Sequence, residues 1–123
     1  MIDISKKNIT ERLARASGTI KLNSDAFSSI INLNNKKGDV LNTARIAGIH
    51  AAKQTSNLIP LAHNISISSV EVDFELNEVS REIYSTVTVK SEGKTGVEIE
   101  ALTAVQISLM TIYDMCKYLD RAM

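Results

Sequence analysis

Tryptophan is missing from this sequence, cysteine and proline occur once each, and the aromatic residues amount to three tyrosines and two phenylalanines. The lone Cys116 has no partner for an intramolecular disulfide, in keeping with a reducing cytosol. With 44% apolar residues but only 4% aromatic ones, the core has to be built from Ile, Val, Leu and Ala, as in a soluble globular chain and unlike a disordered one. Neither sign of charge is in excess, with 14 basic residues against 14 acidic ones. No global field therefore holds nucleic acid or an anionic membrane, and the few aromatics offer RNA no stacking platform. An anionic ligand has to find a local cluster of Lys and Arg. No run reaches the roughly 20 apolar residues of a membrane helix. Residues 1–15 are charged throughout, unlike a secretion signal. No metal-ligand spacing is evident. The expectation is one cytoplasmic domain over residues 1–123, with a modest core.

There is no internal repeat, low-complexity tract or linker. The N-terminal stretch reads two ways: residues 10–16 as a helical turn, or residues 14–22 as extended chain ending in β-prone Thr19-Ile20-Lys21-Leu22. Ser24-Asp25 reads as a helix cap, followed by an apolar stripe of Ala26, Phe27, Ile30 and Ile31. A polar loop, Asn34-Asn35-Lys36-Lys37-Gly38, precedes a strong helix from Asp39 to about Asn57, where Val40, Leu41, Ala44, Ala47, Gly48 and Ala51 recur at three- and four-residue spacing. Pro60 ends that pattern. Val70, Val72, Phe74 and Leu76 alternate with acids, and Ile83, Ser85, Val87 and Val89 alternate with Tyr84, Thr86, Thr88 and Lys90. Residues 77–82 between them predict a hairpin with one face of its sheet covered. After Gly93-Lys94-Thr95-Gly96, a second strong helix runs from Val97 to about Leu119, with Leu102, Val105, Leu109, Ile112 and Cys116 as its apolar stripe. The sum is an α+β sandwich with helices on one face of an antiparallel sheet.

Several short stretches have the residue types that acid–base or phosphate chemistry needs. Lys36-Lys37-Gly38-Asp39 places lysines at a helix N-terminus, where free N–H groups and the dipole favour an anion, although a solvated loop with an Asp cap reads the same way. His63 follows the apolar turn Leu58-Ile59-Pro60-Leu61-Ala62, either as a reactive group or as a hydrogen-bonded structural one. The Gly93–Gly96 loop lacks P-loop spacing, and Glu98 and Glu100 fall in the first helical turn, which favours acids in any case. Asp114 and Lys117 share a helix face three residues apart, as a proton-transfer pair or a surface ion pair. Arg12 and Arg15 face a phosphate together only if their segment is helical; on a strand they point to opposite faces.

Four ordered blocks taken together are more specific. Lys37-Gly38-Asp39-Val40 runs into Thr43-Ala44-Arg45-Ile46-Ala47-Gly48-Ile49; Leu58-Ile59-Pro60-Leu61-Ala62-His63 follows; then Gly93-Lys94-Thr95-Gly96-Val97-Glu98-Ile99-Glu100-Ala101-Leu102-Thr103; and finally Thr111-Ile112-Tyr113-Asp114-Met115-Cys116-Lys117. Over nearly its whole length the chain resembles the cyclic pyranopterin monophosphate synthase (MoaC) family of molybdenum-cofactor biosynthesis. The resemblance implies a ferredoxin-like α+β fold, and dimers that assemble into hexamers with each active site between two chains. It implies a substrate, GTP already cyclised between base and ribose, which is converted to a pyranopterin with a cyclic phosphate as pyrophosphate leaves. No electrons are transferred, so no redox cofactor is implied, and a divalent ion would arrive on the triphosphate. What the chemistry needs is proton transfer and charge neutralisation.

By the same resemblance Lys37, Asp114 and Lys117 match the catalytic residues. Lys37 and Lys117 would lie near each other, and burial beside a second cation pushes a lysine towards neutrality. Leu61, Ala62 and His63, with Ile99 and Glu100, match substrate-contacting segments. Glu98 or Glu100 would read the guanine edge by accepting its N–H groups, and Arg12 matches a phosphate-binding arginine. Ala62 stands where the family commonly has cysteine. The family pattern also continues past Met123 with a further strand and a Lys-Ser-Gly-Gly-Lys-Ser-Gly-like segment carrying another active-site lysine, so the domain is expected to lack that segment. The rival readings are a nucleotide sensor without turnover and a structural oligomerisation domain; neither needs Lys37, Asp114 and Lys117 as a set.

Overall fold

The computed structural model describes residues 1–123. Six elements follow one another: β1 (Thr10–Lys21), α1 (Ser24–Ile31), α2 (Val40–Leu58), β2 (Ile67–Asn77), β3 (Glu82–Gly93) and α3 (Glu98–Cys116). The three strands form one sheet in the order β1-β3-β2. Both pairings are antiparallel, from Thr10↔Gly93 to Lys21↔Glu82 on one side of β3 and from Ile67↔Ser91 to Asn77↔Glu82 on the other. The outer strands are therefore parallel to each other with β3 between them, which is the split β-α-β of ferredoxin-like folds. The hairpin and both long helices lie where their periodicity predicts.

The open question about residues 10–16 resolves as strand. The long edge of β3 pairs with every residue of β1, and a continuous ladder outweighs the weak local preference for one helical turn. Residues of even number in β1 are the more covered ones, so they face the helices. Helix α3 approaches the sheet closely there: a Cβ placed on Gly18 would come within 2.8 Å of Leu109 Cδ1 and 2.9 Å of Val105 Cγ1. A side chain at this position would have to push α3 away.

Three local expectations are corrected. The cap of α1 is Asn23, one residue earlier than Ser24-Asp25; its Oδ1 accepts the Ala26 N–H at 2.9 Å. Ile31 is 40% exposed while Ser29 is buried, because the short helix turns its last residue away from the sheet. Leu102, expected in the α3 stripe, is 46% exposed, whereas Ala101, Ala104 and Val105 are buried. A stripe repeating every seven residues drifts by about 20° per heptad on a straight helix. Its first member has rotated out of the interface two heptads before Cys116.

Asp39 caps α2 as expected, its Oδ1 accepting from the Asn42 N–H at 3.1 Å. The helix then buries the small residues Ala44, Gly48, Ala51 and Ala52. The core forms two clusters, one around Leu22, Phe27, Ile83 and Ile112, the other around Val72, Val87, Val89 and Val105. Between α3 and the sheet lies a fully buried pair of hydroxyls, Ser85 and Ser108, 2.8 Å apart. No helix is long and apolar enough to cross a membrane.

Candidate active site

The loop between α1 and α2 is a tight turn. The Gly38 N–H donates to the Asn35 carbonyl at 3.0 Å, and Gly38 takes a φ of +112°, which a residue without Cβ adopts at no steric cost. The Asn35 side chain accepts the Lys37 N–H at 2.8 Å, the Asx-turn arrangement that an Asn at the first turn position favours. One residue along, the Lys36 N–H donates to the Tyr118 hydroxyl at 2.8 Å, and the Lys36 ammonium lies 5.4 Å from the Tyr118 ring centre. The turn is thereby docked on the C-terminal end of α3.

That docking brings Lys37 to Asp114. The Lys37 Nζ donates to the Asp114 carbonyl at 2.9 Å and lies 3.5 Å from Asp114 Oδ2. The Lys117 Nζ lies 3.0 Å from Asp114 Oδ1. One carboxylate thus bridges two ammonium groups. The Lys117 hydrogen bond and charge, followed by the charge of Lys37, hold the Asp114 carboxyl below its ordinary range, so it is ionised near neutral pH. The lysines keep 40% of their side-chain surface exposed. Within one chain the two lysines lie near each other with the Asp114 carboxylate between them, and both side chains reach solvent.

The remaining predicted residues gather at the other end of α3. Leu61, Ala62 and His63, from the segment after α2, line one depression of about 170 Å³ together with Glu98, Ile99 and Glu100 from the first turn of α3. The two segments matched to substrate contact are thus in one place. Glu100 is 4% exposed. Burial pushes its carboxyl up, and the neighbouring Glu98 charge adds to the effect. Gly96 leaves room for the Glu98 carboxylate, which a Cβ there would overlap. The His63 Nε2 is 2.7 Å from the Ile2 carbonyl oxygen, so in this conformation the ring is engaged with the N-terminal segment. Arg12 flanks the same end, its Nε donating to the Gly93 carbonyl at 3.4 Å. Arg15 is on the opposite face of β1 and donates to Thr88 Oγ1 at 3.1 Å, so the two arginines do not converge.

Residues 100 and 114 are separated by roughly 21 Å along the axis of α3, at about 1.5 Å per residue. The acid–base cluster and the depression therefore do not meet within one chain. Several side chains around the cluster carried no functional signal in the sequence. Asn35 and Tyr118 hold the Lys37 turn, and only the Asn-x-x-Gly pattern of a turn hinted at the first. Cys116, one residue from Lys117, is fully buried; burial pushes its thiol up, so it stays protonated and unreactive. Arg45 is committed to the fold, donating to the Val72 carbonyl at 3.0 Å with its guanidinium 5.5 Å from the Phe74 ring centre. No three His, Cys, Asp or Glu side chains converge closely enough to ligate an ion.

Comparison with known proteins gives one consistent result. The sequence model described as the MoaC family matches residues 1–123. A cyclic pyranopterin monophosphate synthase of Clostridium botulinum (strain Alaska E43 / Type E3) is 55% identical over 123 residues, covering 100% of this chain and 77% of that protein. Proteins of the same name from Campylobacter lari (strain RM2100 / D67 / ATCC BAA-1060) and Clostridium perfringens (strain SM101 / Type A) are 54% and 51% identical, each covering 100% of this chain and 78% of the relative.

Proposed function

The chain belongs to the MoaC family, and from that premise we propose how its residues serve the reaction. The protein is an enzyme, a cyclic pyranopterin monophosphate synthase of molybdenum-cofactor biosynthesis. In our reading it takes the cyclised dihydro-GTP, opens the imidazole ring of the purine, closes a pterin ring and forms a cyclic phosphate with loss of pyrophosphate. It is a phosphorus–oxygen lyase that needs no redox cofactor, because no electrons change hands. A divalent ion, where one takes part, is carried in on the triphosphate. The whole of residues 1–123 acts as one cytoplasmic domain.

The observation that carries this reading is the Lys37–Asp114–Lys117 cluster. Ring opening puts a proton on a leaving nitrogen, and ring closure takes one off an attacking nitrogen. The hydroxyl that attacks the α-phosphorus loses its proton as the bond to pyrophosphate breaks. A carboxylate held below its ordinary range is a weak base near pH 7. We therefore assign the two ammonium groups as the proton donors and as counter-charge for phosphate oxygens. Asp114 orients both, and the amine left when one of them donates takes up the proton released in a later step. At the other end of α3, Arg12 takes phosphate, Glu98 and Glu100 accept from the guanine edge, and Leu61, Ala62, His63 and Ile99 wall the base.

These two sets act on one substrate if they come from different chains. A second copy with its α3 reversed sets the C-terminal end of one helix beside the N-terminal end of the other and creates two equivalent sites. Exposed apolar side chains on the long helices, including Ile46 and Met110, each 60% exposed, favour such burial. We place the chain in a homo-oligomer, a hexamer built as a trimer of dimers. The test is pyrophosphate release from the cyclised GTP. Lys37→Ala and Asp114→Ala should each reduce it by on the order of 10²–10⁴-fold, the usual contribution of a positioned acid or base; full turnover in both variants would refute the assignment. Mixing inactive Asp114→Ala and Arg12→Ala chains by co-refolding should restore activity, because a mixed pair contains one intact site. No restoration would place each site within a single chain.

A further inference from the structure

The turn that carries Lys37 is tied to α3 by an amide that the proton-transfer scheme does not use. Asn35 is 8% exposed. Its Oδ1 accepts the Lys37 N–H at 2.8 Å, and its Nδ2 donates to the Met115 carbonyl at 3.2 Å. The same Nδ2 is 3.2 Å from Ser29 Oγ and 3.6 Å from Cys116 Sγ. Ser29 is itself fixed, donating to the Ala26 carbonyl at 2.8 Å. Met115 directly follows Asp114. One buried side chain thus joins the backbone of the lysine to the backbone beside its carboxylate, across a sequence separation that no local turn bridges.

We propose that Asn35 is a positioning residue for the reaction: its amide locks the Lys37 turn onto α3 and so fixes where the Lys37 ammonium meets Asp114. This rests on the reading of Lys37, Asp114 and Lys117 as the proton-handling cluster. The other clamp on the turn, from Tyr118, differs in kind. Tyr118 is 38% exposed and holds the Lys36 N–H, which water can satisfy in its place. Water has little access to Asn35. Without its amide, the Lys37 N–H and the Met115 carbonyl lose their partners together, and the turn has to move to find others. A displacement of about 1 Å at a catalytic group can cost on the order of a hundredfold in rate.

The experiment compares the 123-residue parent with Asn35→Ala, Lys37→Ala and the double variant, by pyrophosphate release and by NMR titration of the Asp114 carboxyl. Asn35→Ser is the second variant, since a serine at the first turn position still caps the turn but is too short to reach α3. In both Asn35 variants kcat should fall by about ten- to a hundredfold with KM nearly unchanged, and Asp114 should titrate closer to its ordinary range, as it should when Lys37 is removed. In the Lys37→Ala background, Asn35→Ala should change neither readout. The proposal is overturned if kcat and the Asp114 titration both survive loss of Asn35, or if Asn35→Ala lowers kcat by the same factor with and without Lys37, the mark of a merely structural role. Parent-like turnover by Lys37→Ala would instead sink the acid–base role of Lys37, while the Asp114 titration would still report whether Asn35 sets that lysine's position.

Discussion

The two hydroxyls between α3 and the sheet give a prediction whose sign reverses with background. Ser85 and Ser108 are both fully buried and 2.8 Å apart, and the Ser108 hydroxyl donates to the Val105 carbonyl at 2.8 Å. A hydroxyl has one proton, so the arrangement that leaves neither proton unpaired has Ser85 donating to Ser108. Ser85→Ala then removes one neutral hydrogen bond and leaves Ser108 paired, a loss of about 0.5–1.5 kcal/mol. Ser108→Ala strands the Ser85 proton in a dry interface, at about 1–3 kcal/mol, from which the better helix preference of alanine returns about 0.5 kcal/mol. In the Ser108→Ala background, however, Ser85→Ala removes the stranded group and should stabilise the protein. The assay is equilibrium urea unfolding of all four chains at one fixed chain concentration, because self-association would otherwise shift the midpoints. Equal m-values would show that the midpoints report stability. If Ser85→Ala costs the same in both backgrounds, the proposed direction of donation is wrong.

The remaining predictions concern the site and its loop. NMR should find Asp114 titrating below 3.8, with Lys117→Ala raising it further than Lys37→Ala does. Its contribution to stability is present above that ordinary value and lost as the pH falls through the lowered one. Glu100 has the opposite sign: its raised carboxyl favours folding while protonated and costs stability as the pH rises through its folded value. Glu100→Gln should therefore raise the Tm relative to the parent near pH 7, by a margin that vanishes below about pH 4.5. Gly38→Ala forces a Cβ onto a φ of +112° and should cost about 1–3 kcal/mol in urea unfolding.

Much of the fold was legible because its signals are periodic. The β2–β3 hairpin alternates cleanly, and α2 announces itself through small residues at helical spacing and an Asp cap. β1 was ambiguous because its short apolar pattern suits a strand or a turn, and only the free edge of β3 decides between them. That decision separated Arg12 from Arg15. Leu102 was misplaced because seven-residue spacing drifts on a helix. The pair Asp114 and Lys117 could be read from spacing, but the approach of Lys37 across 77 residues depends on a loop docking that no periodicity encodes. The resemblance supplied that grouping, and the geometry supplies its cause in Asn35 and Tyr118. The same resemblance implied His63, Glu100 and Lys37 in one site drawn from two chains, and a single chain sets them at opposite ends of α3.

The clamp of Tyr118 on the Lys36 backbone also has an optical consequence. With no tryptophan in the chain and phenylalanine only a very weak emitter, ultraviolet emission is dominated by Tyr84, Tyr113 and Tyr118. Tyr84 belongs to the sheet, paired with Thr19, while Tyr113 and Tyr118 flank Asp114 and Lys117. The hydroxyl of Tyr118 is hydrogen-bonded to the very turn that presents Lys37, and its ring lies against the Lys36 ammonium. Anything that seats on the cluster or lifts that turn alters the surroundings of these fluorophores, with no indole nearby to drain their excitation. The unmodified protein thus carries its own reporter at the C-terminal end of α3.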